Sequence, residues 1–152
     1  MCSKDAADLI ALLEENGFEV YVDGGWGVDA VLGEQTRPHD DLDIAMLHAQ
    51  VPRLRALLSM RGFREQRRDD SWECNFVLAD EAGRRLDVHS YTLDAAGLNA
   101  GGVPYTGEQL TGGGSLWGGA SAFTAGHSIR FTAAICGWRP PWSKRSGSSA
   151  CC

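Results

Sequence analysis

Val22-Asp23-Gly24-Gly25-Trp26-Gly27-Val28-Asp29, followed by His39-Asp40-Asp41-Leu42-Asp43-Ile44, decides how this chain is read. A glycine pair ends one apolar run, and two acids spaced i, i+2 open the next. Glycines let backbone amides approach an anion, and acids on one strand face can hold a divalent cation. The pair of features points to a site for a metal-bound triphosphate.

Working outward, Ser3 is positioned to cap a helix whose Ala6, Leu9, Ile10 and Leu13 follow the helical stripe, with Asn16-Gly17 as its stop. Phe18 to Val22 reads as a strand, and a short helix is expected from about Trp26 to Gly33. Asp41 to Leu47 is the next strand. A helix follows from Gln50 to Met60, with Val51, Leu54, Leu57 and Leu58 inward and Gly62 as its stop. Phe63 to Arg67 is a short strand. Trp72–Ala79 and Arg84–Tyr91 form a hairpin around Asp80-Glu81-Ala82-Gly83. The order αβαβαβββ implies an α+β fold, a mixed sheet flanked by helices.

Asp41 and Asp43 should project from one strand face, about 7 Å apart at Cα. At about 5 Å and an effective dielectric near 20, such carboxylates repel by roughly 3 kcal/mol. A hard cation with oxygen ligands offsets that cost, and Mg²⁺ commonly takes one or two carboxylates plus substrate phosphates. The bland alternative is a solvated strand start. Asp87, flanked by Leu86 and Val88, adds a third acid if its strand neighbours that of Asp41. It could complete a metal site or accept a proton from an attacking hydroxyl; otherwise it is an edge-strand acid facing water.

Gly24 and Gly25, with the N-terminus of the following helix, could cradle a triphosphate. They match neither the dinucleotide-binding nor the P-loop glycine pattern. Arg37 and His39 could contact phosphate oxygens. Asp40 should face away from Asp41 in a structural role. His89 shares the strand face of Asp87, as a substrate contact or a structural histidine. Trp26, Trp72 and Cys74 read as packing residues.

The chain has 152 residues, enough for one core without disulfides, and a net charge of −6. That charge argues against polynucleotide partners, whose binding needs clustered Lys and Arg. No apolar run approaches the roughly 20 residues of a membrane span. The five cysteines show no zinc spacing, and a reducing cytoplasm is the default expectation. All 20 acids lie at or before Glu108, whereas residues 109–152 carry four basic residues, three of five Trp and three of five Cys. Residues 97–121 hold nine glycines and read as loop. The expected division is therefore a catalytic domain over residues 1–115 and an atypical tail over 116–152.

The glycine pair, the Asp41-Leu42-Asp43-Ile44 step and Leu86-Asp87-Val88 together resemble the DNA polymerase β-like nucleotidyltransferase superfamily. More narrowly, Asp23–Asp29, Thr36–Asp43 and Leu86–His89 resemble small antibiotic nucleotidyltransferases of the lincosamide type, with aminoglycoside enzymes next. The similarity covers roughly residues 5–115. It implies a nucleotidyltransferase fold and transfer of a nucleoside monophosphate, usually AMP from ATP, to a hydroxyl of a small antibiotic. It makes Asp41 and Asp43 the Mg²⁺ ligands, Asp87 a further ligand or the base, and Gly24 and Gly25 the triphosphate seat. It also implies a homodimer. A toxin–antitoxin enzyme acting on protein or tRNA, and a catalytically impaired nucleotide-binding module, are the competing readings. The tail departs from the family pattern after Phe131, which suggests a frame-shifted or truncated C-terminus.

Overall fold

A computed structural model describes residues 1–32, 35–106, 110 and 129–130. The chain runs α1 (Ser3–Glu15), β1 (Val20–Val22), α2 (Gly24–Leu32), β2 (Leu42–Leu47), a 3₁₀ turn (His48–Gln50) and α3 (Val51–Ser59). Then come β3 (Arg64–Gln66), β4 (Asn75–Ala79), β5 (Arg85–Leu93), β6 (Asn99–Gly102) and β7 (Ile129–Arg130). Helix α1 has Cys2, not Ser3, at its N-cap, and no side chain caps it. Its end follows the expected chemistry. Gly17 takes φ +70°, its N–H bonds Glu14 O, and Phe18 N–H bonds Leu13 O, so two terminal carbonyls are satisfied.

Seven strands form one mixed sheet in the order β3-β4-β5-β2-β1-β7, with β6 also paired to β5. The pairing of β2 with β5 is parallel; the other pairings are antiparallel. The hairpin around residues 80–83 is β4–β5. Strand β6 falls in the stretch expected to be loop. Its Gly102, at φ +82°, packs where a side chain would collide with the Ser90 carbonyl, so glycine content here serves close pairing rather than irregularity. Strand β7 pairs with β1, so the sheet includes two residues from beyond position 115. The other residues of the expected tail, and the suggestion of a frame shift, lie outside the described residues, as does the helix stop at Gly33.

Side chains alternate across a strand, and here the alternation separates packing from chemistry. Even-numbered Val20, Val22, Leu42, Ile44, Met46, Phe76, Leu78, Leu86 and Val88 join Leu9 and Leu13 of α1 and Leu54 and Leu58 of α3 in one core. Odd-numbered positions of β2 and β5 face the other way. There Tyr21, Ala45 and Tyr91 meet Tyr105 and Leu110 in a smaller cluster, and Asp43, Asp87 and His89 lie on that same face. Trp26 is core, at 3% exposure, whereas Trp72 is 49% exposed and does not pack as expected.

Candidate active site

The parallel register sets Asp43 directly beside Asp87. Adjacent strands are about 4.8 Å apart, closer than the roughly 7 Å between Asp41 and Asp43 along one strand. Asp87 is 4% exposed, and its antiparallel partner on the other side is buried Val77. One ligand atom from each of Asp43, Asp87 and His89 lies within 4.8 Å of the others. This is the convergent set among the described residues. Asp41, expected as a ligand, sits before the start of β2 and is not in it.

The electrostatics of the set are unbalanced. Burial, reinforced by Asp41 and then by Asp87 and Asp23 against the opposing pull of His89, pushes the Asp43 carboxyl up to about 6. Asp87 Oδ1 is buried and makes no hydrogen bond; His89 Nε2 stands 3.4 Å from it. Arg68 Nη2 pairs with the other oxygen at 2.9 Å. With its nearest donor as far as 3.4 Å, the buried Oδ1 is poorly satisfied, at a cost of about 1–3 kcal/mol that a cation would offset. The donors fit a divalent metal: two carboxylates and an imidazole converge on one point.

The glycine pair forms the first two residues of α2 rather than preceding the helix. Each glycine admits one neighbour. A Cβ on Gly24, which holds φ +60°, would collide with the Asp43 carboxylate; one on Gly25 would collide with the His39 ring and crowd Arg37. Asp23 N–H bonds Asp43 O at 2.9 Å, and Gly24 N–H bonds Asp23 Oδ1 at 2.8 Å. The N-terminus of α2 is thus fixed against the acid set. Arg37 is exposed and lies over that helix start, where a phosphate contact is open to it.

His39 has a different role from the phosphate contact expected of it. His39 is 5% exposed, its Nε2 lies 2.6 Å from Asp29 Oδ2, and the Trp26 ring packs against it, tilted by 50° with centroids 4.6 Å apart. Asp29 also accepts from the Thr36 backbone and hydroxyl, at 3.1 and 2.6 Å. Burial alone would raise the Asp29 carboxyl, but the bonds from Thr36 and His39 outweigh it and hold the group below its usual range. Trp26 Nε1–H bonds Asp41 O at 2.9 Å. This network ties α2 to the segment that delivers Asp41 and Asp43. Asp40 is exposed.

Sequence reasoning did not find Asp23, Arg68 or Tyr105 as site neighbours. Tyr105 O–H bonds Asp23 Oδ2 at 2.6 Å and reaches His89. Asp23 stood inside the quoted glycine motif, which was its one available signal. Arg68 and Tyr105 lie on irregular segments where no periodicity marks an inward side chain.

The aminoglycoside-2''-adenylyltransferase family profile matches residues 6–116. A 2''-aminoglycoside nucleotidyltransferase of Escherichia coli is 36% identical over 56 residues, as is one of Klebsiella pneumoniae. That aligned stretch covers 37% of this chain but only 32% of those relatives' length. Among solved structures, the lincosamide adenylyltransferase LnuA superposes with a TM-score of 0.61 at 23% identity, covering 72% of each chain. ANT(2'')-Ia bound to adenylyl-2''-tobramycin gives 0.56 at 22% identity, over 84% of this chain and 68% of that one. These likenesses establish the nucleotidyltransferase fold. The match over residues 6–116 goes further: this chain belongs to the aminoglycoside-2''-adenylyltransferase family.

Proposed function

We propose that the chain is a divalent-metal-dependent nucleotidyltransferase, moving AMP from ATP to a hydroxyl of a small antibiotic of aminoglycoside or lincosamide type. The carrying observation is the in-register Asp43–Asp87 pair, with a buried Asp87 oxygen lacking any hydrogen bond, placed against the N-terminus of α2. Asp43 and Asp87 would hold the cation, with Asp41 adding negative charge at its edge. Mg²⁺, the expected ion, supplies neutralisation of charge on the α-phosphate and the leaving pyrophosphate.

The protein's own part is binding and proton handling. The Gly25 amide and the Arg37 guanidinium would receive the triphosphate, with Gly24, whose N–H is held by Asp23 Oδ1, letting the backbone approach it. The acceptor oxygen bonds the α-phosphorus as the bridging α–β oxygen departs with pyrophosphate, and the hydroxyl proton passes to Asp87 in the arrangement where that carboxylate serves as base rather than as ligand. A cytoplasmic setting belongs to the same proposal; among the described residues no helix is long and apolar enough to cross a membrane. A second copy completing the acceptor side belongs to the same proposal and would show as a dimer in solution.

The test is mass spectrometry of an aminoglycoside and lincosamide panel after incubation with the chain, ATP and Mg²⁺. One adenylyl group added to a member of the panel supports the reading. ATP binding with every acceptor unmodified would leave an impaired binding module instead.

A further inference from the structure

Tyr105 belongs to no motif, yet it links the site histidine to a carboxylate from another element. It is buried, and its ring packs on Tyr91 with centroids 5.7 Å apart. Its hydroxyl donates to Asp23 Oδ2 at 2.6 Å and lies 3.2 Å from His89 Nδ1. A phenol has one proton, and an ionised carboxylate only accepts. With that proton committed to Asp23, the Tyr105 oxygen can only accept from the imidazole. Nδ1 of His89 therefore carries a hydrogen.

The consequence falls on the other ring nitrogen. Nε2 faces the acid set, 3.4 Å from Asp87 Oδ1. In the neutral ring it turns a lone pair toward carboxylate oxygens, which is repulsive unless a cation stands between.

We propose that Tyr105, held by Asp23, is a positioning residue that fixes His89 with its hydrogen on Nδ1, making Nε2 a nitrogen ligand beside Asp43 and Asp87. This rests on the metal-dependent reading above and refines its cation. An all-oxygen set suits Mg²⁺, whereas an imidazole moves preference toward first-row transition ions such as Mn²⁺ and Co²⁺. A hydrogen-bond partner on the far nitrogen of a ligating histidine orients the ring, and its loss typically weakens metal binding about 10–100-fold.

The experiment uses Mn²⁺ alone with the full, nucleotide-free chain, its binding titrated by electron paramagnetic resonance and its ligands read by pulsed ¹⁴N coupling. The expected result is a bound Mn²⁺ with directly coordinated nitrogen, displaced by Mg²⁺ only at large excess. His89→Gln should abolish the nitrogen coupling. Tyr105→Phe should weaken Mn²⁺ about tenfold while Mg²⁺ affinity changes less than about twofold. Bound Mn²⁺ without nitrogen coupling, unchanged affinity in a folded Tyr105→Phe variant, or no Mn²⁺ binding would each overturn the proposal. If Tyr105→Phe does not fold, the wild-type and His89→Gln spectra decide the ligand role of Nε2, and Asp23→Asn, which alters the acceptor that holds the Tyr105 proton, decides the positioning role by the same Mn²⁺ titration. No nucleotide or acceptor is present, so nitrogen coupling in a chain that transfers nothing would defeat the functional reading alone.

Discussion

Two carboxylate–histidine pairs lie on either side of the start of α2, and they are finished differently. Asp29 and His39 are closed: both Asp29 oxygens are bonded, and the carboxyl is held below its usual range. Asp87 and His89 are open: one buried Asp87 oxygen has no hydrogen bond, and neighbouring Asp43 is pushed up to about 6. Residue type does not separate them. Satisfaction does: the first pair holds α2, and the second is the one proposed to bind a cation.

The largest effect that would break this contrast is on catalysis. Asp87→Asn should reduce nucleotidyl transfer by about 10²–10³-fold, the scale of losing a transition-state electrostatic contact, while far-ultraviolet circular dichroism stays unchanged. A variant with normal kcat would return Asp87 to structure. Asp29→Ala should act the opposite way, destabilising by about 3–5 kcal/mol because it strands buried His39 without its partner. Urea denaturation measures this, and an unchanged midpoint would dissolve the closed pair. Gly24→Ala sits between the two sites. Its Cβ would displace the Asp43 carboxylate at a positive φ, costing about 1–3 kcal/mol and lowering Mg²⁺-dependent turnover with it.

The most gradual effect is a slope. Asp43 has a folded-state pKa raised above its unfolded value, so the folded metal-free chain binds the extra proton. Stability from this group is greatest below about pH 4 and falls by about 3 kcal/mol as pH rises through 6. Asp29 has a lowered value, so its contribution is present above about pH 4 and is lost as pH falls through the folded value. Stability profiles of the metal-free chain should show both arms, and Asp43→Asn should flatten the one between pH 4 and 6. A profile unchanged by that substitution would mean the acid set carries no strain.

Much of this was legible in the sequence because period and spacing encode it. The Asn16-Gly17 stop, the β4–β5 hairpin and the α3 stripe follow from local chemistry. Asp43 and Asp87 stood out as acids among apolar strand residues, which is where burial makes a charge expensive. What sequence could not supply was register. A parallel pairing between residues 44 positions apart decides that Asp87 stands beside Asp43 in the convergent set. His39 was misread because a histidine beside acids carries the same letters whether it meets a phosphate or a buried Asp29. Tyr105 and Arg68 approach from irregular segments, where contact depends on how loops fold over the sheet.

The central claim is that the open acid set, not the closed pair, performs nucleotidyl transfer. Pyrophosphate release from Mg-ATP, measured with an antibiotic acceptor for the wild-type chain and Asp43→Asn, tests it most directly. The account predicts acceptor-dependent release by the wild type and none above background by a folded Asp43→Asn variant. Near-normal release by that variant would contradict it.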